Sequence, residues 1–248
     1  MIKNKFDNGW FEYKGINSLS MYLKIVNDIS FPSPEADIEF IEVLGRDGEL
    51  AVDNERLKGV DFPIPVQLKP PNRIDVNIMA TKISEWLKSD IGWYPLRFSG
   101  LKGYEYIAMC YEQFDIQETL KQYGKTVINF RLKPYKRRID SNSVEITNGM
   151  SLYNREIRAS KPLIKIEGSG DISLKNNGKE WLELRSIDGS ITVDSEMMSV
   201  YKGTSPQFDK MISTLTPIFP LLNHGENTIT WKGNVTKIEI EPRWEAII

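Results

Sequence analysis

The chain of 248 residues has only one cysteine and one histidine, and this scarcity excludes several kinds of chemistry. Cys110 has no second cysteine with which to form an intramolecular disulfide. Any catalytic arrangement or metal site that needs histidine must use His224. His224 lies in residues 223–226, which are typical of a hairpin turn, and Cys110 follows an apolar run typical of a strand. We therefore predict no catalytic, cofactor-binding or metal-binding site.

The chain also lacks a strong charge of one sign and a long apolar run. It has 32 basic and 34 acidic residues and a formal net charge of −2, so no positive field favours tight binding to nucleic acid. No run of about 18 apolar residues could span a bilayer, and residues 1–8 lack the apolar segment of a signal peptide. No P-loop, Gly-x-Gly-x-x-Gly or Cys-x-x-Cys pattern occurs, so neither a nucleotide cofactor nor zinc is predicted. We expect folding in a cytoplasm, without membrane binding.

What the sequence has instead is apolar residues that alternate with polar ones, a pattern typical of half-buried strands. In residues 126–132, Ile128, Phe130 and Leu132 share one face, while Asn129 and Arg131 share the other. The same pattern predicts strands at 38–43, 104–109, 163–167, 181–184, 191–194, 228–231 and 235–241. The predicted fold class is therefore mainly β.

Residues 79–90 are the clear exception to this alternation. Met79, Ile83, Trp86 and Leu87 have helical spacing, and Gly92 can end the helix as its C′ residue. The alternating residues 73–78 predict a strand that leads directly into this helix. A second, short helix is predicted around residues 206–215, which the following Thr-Pro pair would end.

A basic and then polar stretch, residues 133–161, is the predicted boundary between two domains. We expect residues 1–138 to form a β domain with one helix and residues 139–248 to form a β-sandwich. The stretch opens with a basic cluster that we interpret as a solvated linker. Its residues Lys136, Arg137 and Arg138 are also candidates for docking an acidic partner or a phosphate backbone.

Two further motifs are candidate functional sites. Residues 45–48, Gly-Arg-Asp-Gly, separate two apolar segments and predict a hairpin whose tip exposes Arg46 and Asp47, our candidate interface residues. Asp194 and Glu196 share a strand face, as the two carboxylates of a glycosidase would need to do. Because such spacings arise by chance among 34 acidic residues, we interpret this pair as a solvated strand edge or loop, with calcium binding or catalysis as alternatives.

Taken in order, several segments resemble the distal tail proteins (Dit) of long-tailed bacteriophages. They are residues 6–9, the turn at 45–48, the predicted strand and helix at 73–87, and residues 95–98, 130–135, 161–171, 191–196 and 227–243. The resemblance implies an N-terminal ring-forming β domain with one helix, followed by a C-terminal galectin-like β-sandwich. It also implies a homo-hexameric, non-enzymatic hub that joins the tail tube protein to tail-associated fibre or baseplate proteins.

In such a hub DNA only passes through the ring channel, and the protein is located in the virion tail after assembly in the host bacterial cytoplasm. Two alternatives remain. One is a carbohydrate-binding β-sandwich for host-surface glycans, in which Trp181, Trp231 or Trp244 stacks on sugars, and the other is a β-sandwich glycoside hydrolase. Because the sole histidine lies in a predicted turn, we expect weak or absent galactoside binding despite a galectin-like fold.

Overall fold

The computed structural model describes residues 9–26, 29–71, 74–114, 117–118, 124–212, 215 and 217–248. In this part of the chain the structure is mainly β with one α-helix, as the sequence predicts. The chain forms two compact units, Met1–Lys136 with Ile247–Ile248, and Arg137–Ala246.

The first unit is built on a curved antiparallel sheet. Its elements are β1 (Phe11–Tyr13), β2 (Ile16–Asn17), β3 (Leu23–Ile25), β4 (Ala36–Glu42), β5 (Glu49–Leu57), β6 (Val60–Leu68), α1 (Val76–Lys88), β7 (Tyr94–Phe98), β8 (Leu101–Met109), β9 (Gln117–Glu118) and β10 (Gly124–Arg138), with a 3-10 turn at Ser18–Met21. The strand order is β2-β1-β7-β8-β10-β6-β3, and β9 also pairs with β10. Strands β4 and β5 form a separate two-stranded sheet.

The alternation in residues 126–132 produces the buried face of β10. Ile128 pairs with Ile64 of β6, and Phe130 pairs with Phe62, and all four side chains are buried. Phe130 also packs edge-on against Tyr13, with ring centroids 5.1 Å apart. Burial of these large apolar side chains is the main stabilising contribution to the first unit.

Helix α1 begins at Val76, three positions before the predicted start, because Asp75 caps it. The Asp75 side chain accepts a hydrogen bond from the backbone N–H of Asn77 at 2.7 Å. The predicted strand over residues 74–78 is therefore wrong, and residue 73 lies outside the described residues. The predicted apolar stripe is correct, since Met79, Ile83, Trp86 and Leu87 are buried. The helix ends at Lys88 with Ser89 as its C-cap, before Gly92.

The second unit contains three long strands and several short ones. Its elements are β11 (Val144–Glu145), β12 (Ser151–Asn154), β13 (Leu163–Asn176), β14 (Lys179–Asp194), β15 (Ser199–Lys202), β16 (Ser205–Pro206), β17 (Gly225–Glu241) and β18 (Glu245–Ile247), with a 3-10 turn at Phe208–Lys210. The order is β11-β17-β13-β14-β15-β16, and β12 also pairs with β17. Strand β18, whose last residue belongs to the first unit, pairs with β10.

Bulges divide the long strands into the shorter ones that the sequence predicts. The pairing of β13 with its neighbours shifts register between Ser169 and Ser173. Two glycines permit this bend, because a Cβ at Gly168 would overlap the Asn234 carbonyl oxygen and one at Gly233 would overlap that of Asp171. The bends let one curled sheet enclose a core that includes Ile164, Leu174, Leu184, Val193 and Ile238.

The predicted second helix is reduced to the single 3-10 turn at Phe208–Lys210. Met211 has an extended backbone, with φ −96° and ψ 130°, and bridges to Leu184 of β14. Residues 213 and 214 of the predicted helix lie outside the described residues. Apolar spacing alone gave the wrong prediction here, because pairing with a sheet competes with the helix for the same backbone groups.

Candidate assembly surface

Strands β4 and β5 form a hairpin that we call the arm, residues 36–57. Five consecutive pairs, from Ile38 opposite Asp53 to Glu42 opposite Glu49, hold its two strands together. At its base the Lys58 N–H donates to the Glu35 carbonyl at 2.8 Å. At its tip Gly45 and Gly48 have φ of 78° and 79°, the conformation for which the sequence predicts glycine. The predicted hairpin is therefore present.

The arm differs from the predicted half-buried strands because both of its faces are exposed. Phe40 on one face is 61% exposed, and Ile41 and Leu50, which are opposite each other on the other face, are each 41% exposed. Leu44 at the tip is fully exposed. Alternation indicates which residues share a face, but burial also needs a covering element, and none of the described residues covers either face of the arm.

The arm is also strongly acidic. It contains seven Asp or Glu residues and only two arginines, Arg46 and Arg56, which gives it a formal net charge of −5. Arg56 is used inside the arm, where its Nε lies 2.5 Å from Asp37 Oδ2. That hydrogen bond is the main reason that the pKa of the Asp37 carboxyl is lowered. An apolar surface that also carries net negative charge favours a partner surface with apolar and basic groups.

Arg46 and Asp47 are exposed at the tip of the arm, as predicted. They line an open concavity of about 480 Å³ with Val43, Leu44 and Glu49 among its other residues. The Arg46 N–H donates to the Val43 carbonyl at 3.1 Å, which fixes the turn. The backbone of the tip is therefore ordered by local bonds, while its side chains stay available for contact.

The basic cluster at 133–138 is not a solvated linker, because these residues are the last part of β10. Lys136 lies in the first unit with its Nζ 5.2 Å from the centroid of the Tyr104 ring, and Lys133 Nζ lies 5.7 Å from that of Trp93. Such contacts hold the lysine stems against aromatic faces. Because side chains alternate between the faces of a strand, these are two separate contacts, each with a lysine of intermediate exposure. Lys136 is the basic candidate interface residue of the first unit.

Arg137 and Arg138, the other two candidate interface residues, are engaged inside the second unit. Arg137 lies 2.8 Å from Glu196 Oε2 and 3.6 Å from Glu245 Oε1. Arg138 binds both carboxylate oxygens of Asp140, at 2.7 Å and 2.5 Å, and its hydrogen bond lowers the pKa of that carboxyl. These internal pairs make both arginines poorer interface candidates than Lys136 or Arg46.

Asp194 and Glu196 are not a solvated edge, because they belong to a partly buried ion-pair cluster. Asp194 is 3% exposed and lies 2.9 Å from Arg243 NH1. Arg243 NH1 also lies 3.4 Å from Glu196 Oε2. Burial opposes the charge of Arg243, but the hydrogen bond that Arg243 donates to Asp194 raises the pKa of the guanidinium. Because Arg243 lies between the two carboxylates, they do not flank an open space for a glycosidic bond as those of a glycosidase do. Their role is structural.

The remaining candidates for chemistry lie where the sequence predicts. His224 is exposed in a turn, with Nδ1 3.0 Å from the Glu156 carbonyl. Cys110 is buried, and burial raises the pKa of its thiol to about 11, far from the range of a reactive thiolate. Among the described residues, no group of His, Cys, Asp and Glu is arranged to hold a metal ion. No helix in this part of the chain is long and apolar enough to cross a membrane.

The first unit is similar to a known phage protein domain. Residues 14–132, which include the arm and most of the first core, match the family model of the phage tail protein RIFT-related domain. This part of the chain is therefore similar to a domain of phage tail proteins. A search of curated proteins finds no match.

The fold of the whole chain is similar to one particular tail protein. The crystal structure of SPP1 Dit (gp 19.1), described as a paradigm of the hub adsorption apparatus in Gram-positive infecting phages, matches with a TM-score of 0.69 and 13% identity. The match covers 94% of this chain and 98% of that chain. The resemblance to distal tail proteins that the sequence predicts is confirmed.

Proposed function

We propose that the protein is a homo-hexameric hub at the distal end of a phage tail, where it joins the tail tube protein to tail-associated fibre or baseplate proteins. The family match of residues 14–132 and the shared fold with SPP1 Dit support a structural role in the tail rather than an enzymatic one. The hub role is inferred from the SPP1 protein. The protein would be located in the virion tail after assembly in the host bacterial cytoplasm.

The observation that carries this proposal is the exposed arm. An isolated two-stranded hairpin is at best marginally stable in water, and this one exposes apolar side chains on both faces. A neighbouring subunit that covers the arm would stabilise it. In a closed ring each arm meets the next subunit head to tail, so no arm and no strand edge of this surface is left uncovered.

The two predicted domains would have different roles in the hub. Residues 1–138 would form the ring through the arm and a basic surface that includes Lys136, and residues 139–248 would form a galectin-like sandwich at its periphery. Opposite charges on the arm and on Lys136 favour this pairing between copies over pairing of two arms. The formal net charge of −2 suits a ring through which DNA passes without being held.

Light scattering coupled to gel filtration, with negative-stain images of the same fractions, tests the ring. We expect the full chain to reach the mass of six subunits as its concentration rises. A variant with Phe40→Ser and Leu50→Ser removes one apolar side chain from each face of the arm and should need a higher concentration to assemble. Ile157→Ser, at a 92% exposed position in the second unit, is the matched control and should assemble like the wild type.

Monomers at every accessible concentration, even with the neighbouring tail proteins present, would contradict the hub proposal. Equal assembly of the wild type and the arm variant would contradict only the role of the arm.

A further inference from the structure

The described residues leave one face of the main sheet of the first unit, the sheet that contains β7, β8, β10 and β6 as neighbours, uncovered. In these four strands the side chains of Leu96, Tyr106, Phe130 and Phe62 are buried on the core side. Because side chains alternate along a strand, the residues between them form the opposite face, which we call the outer face. Its apolar members are Pro63, Pro65, Pro95, Ile107, Met109 and Val127. Val127 is 47% exposed, so this apolar surface is open to solvent.

Two arginines of the outer face are paired with acids of the same face. Arg97 Nη2 lies 2.7 Å from Glu105 Oε2, and Arg131 Nη1 lies 2.6 Å from Asp61 Oδ1. A strongly charged partner would have to compete with these pairs. The outer face therefore favours a partner surface that is apolar and carries little charge.

Trp93, which immediately precedes β7, extends the apolar surface of the outer face. Its ring centroid lies 5.7 Å from Nζ of Lys133, and Lys133 is on the same side of β10 as Arg131. Trp93 is 43% exposed. An exposed tryptophan beside apolar residues has the composition of an interface anchor.

The two faces of the arm differ in charge. One of them, which we call the apolar face, has Ile41 opposite Leu50 and Val52 opposite a single acid, Glu39. The other face has three carboxylates, those of Glu42, Glu49 and Asp53. Burying a carboxylate without a partner is costly, so the apolar face is the one that an uncharged surface can cover.

The arm and the outer face also match in size. A strand advances about 3.3 Å per residue, so the seven residues of β4 extend roughly 23 Å. Neighbouring strands are about 4.8 Å apart, so the four strands of the outer face are roughly 19 Å wide. An arm of this length can lie across all four strands.

We propose that the apolar face of the arm packs on the outer face of the main sheet of a second copy of this chain. The inference rests on the proposed ring, and it identifies the surface of the neighbouring subunit that receives the arm. The contact joins two different surfaces, as a closed ring requires. It covers Val127 and Trp93 with apolar side chains and leaves the carboxylates of the other face free to meet a basic surface.

Crosslinking of single-cysteine variants of the full chain tests this contact. Leu50→Cys is mixed with Val127→Cys and treated with a bismaleimide shorter than the roughly 10 Å between packed sheets. We expect covalent dimers at a yield several-fold above that of either variant alone. The native Cys110 is 1% exposed and should not react.

Two matched controls use exposed positions away from the proposed contact. Phe40→Cys lies on the other face of the arm and is mixed with Val127→Cys, while Ile78→Cys lies on α1, 56% exposed, and is mixed with Leu50→Cys. Both mixtures should give only the yield of the single variants.

Val127→Asp provides a second measurement, by light scattering. A carboxylate at this position would lie against an apolar and acidic arm, so assembly should need at least about tenfold more protein. Ile78→Asp is the control and should assemble like the wild type. Circular dichroism checks that both variants are folded.

If the wild type forms hexamers but the Leu50 and Val127 cysteines crosslink no more than the controls, this inference is overturned and the hub proposal stands. Unchanged assembly of Val127→Asp would also overturn it. A wild type that stays monomeric and gives no crosslinks would contradict both proposals.

Discussion

The guanidinium of Arg243 reaches both carboxylate oxygens of Asp194, at 2.9 Å to Oδ1 and 3.3 Å to Oδ2. Asp194 Oδ1 also accepts the backbone N–H groups of Glu196 and Met197, each at 3.0 Å. One carboxylate thus fixes the turn after β14 and ties it to the segment after β17. The turn presents Met197 and Met198 to solvent on a backbone that is held from within.

Arg243→Leu should strongly destabilise the second unit. Removing one partner of a buried ion pair leaves the other charge without compensation, at a cost of about 3–5 kcal/mol. Guanidinium denaturation followed by tryptophan fluorescence measures the loss. Lys237→Ala, which removes the exposed partner of Glu239 at 2.6 Å, is the control and should change stability little. Similar midpoints for the two variants would show that the Arg243 cluster is not stabilising.

Glu245→Gln should raise stability at neutral pH and reduce its pH dependence. Burial, followed by the nearby Glu196, raises the pKa of Glu245 above its usual 4.5, although Arg137 opposes the shift. The folded state therefore holds this proton more tightly than the unfolded state does. Stability from this group is complete below pH 4.5 and is lost as the pH rises through the raised pKa. Glutamine removes that loss, and Arg137 keeps Glu196 at 2.8 Å.

Urea denaturation of both proteins from about pH 4 to about pH 8 measures the difference. The two stability curves should separate as the pH rises. Curves that run parallel over the whole range would contradict the assignment to Glu245.

Arg46→Glu should weaken ring assembly and leave the subunit folded. The change replaces the guanidinium that we propose contacts the neighbouring subunit with a shorter side chain of opposite charge, so that contact is lost. Arg46 has no role in the core because it lies on the surface of the tip. Light scattering would show assembly at a higher protein concentration, with an unchanged circular dichroism spectrum. Arg185→Glu, an exposed charge reversal in the second unit, provides the control. If both variants assemble like the wild type, the interface does not use Arg46.

The two units should unfold as separate cooperative transitions, because each has its own buried apolar core. Differential scanning calorimetry of the wild type should resolve two endotherms. Arg243→Leu should shift the one that belongs to the second unit and leave the other in place. A single endotherm that moves as a whole would show that the units fold as one domain.

The alternating strands and the hairpin were predictable from sequence because both signals are local. Strand periodicity fixes which residues share a face, as with Ile128 and Phe130, and Gly45 and Gly48 supply the turn geometry. The helix was predictable in its apolar face but not in its start, since Asp75 competes as a cap with the alternating pattern around it.

Long-range contacts account for what the sequence did not show. Strands β13 and β17 contain irregularities near Gly168 and Gly233 that interrupt the alternation. The sequence therefore predicts only residues 163–167 of β13, and it predicts β17 as two strands. Burial of Asp194 depends on Arg243, whose distance in the chain gives no local signal. The exposure of Phe40 was equally hidden, because a pattern of apolar residues is the same whether the covering surface lies in the same chain or in another one.

The second unit spans Arg137–Ala246. Its two ends are adjacent: the Arg138 N–H donates to the Trp244 carbonyl at 3.0 Å, and Arg137 lies 3.6 Å from Glu245. The termini of this unit therefore lie side by side, so a short linker can join them and new termini can be opened in a surface loop without disturbing its core.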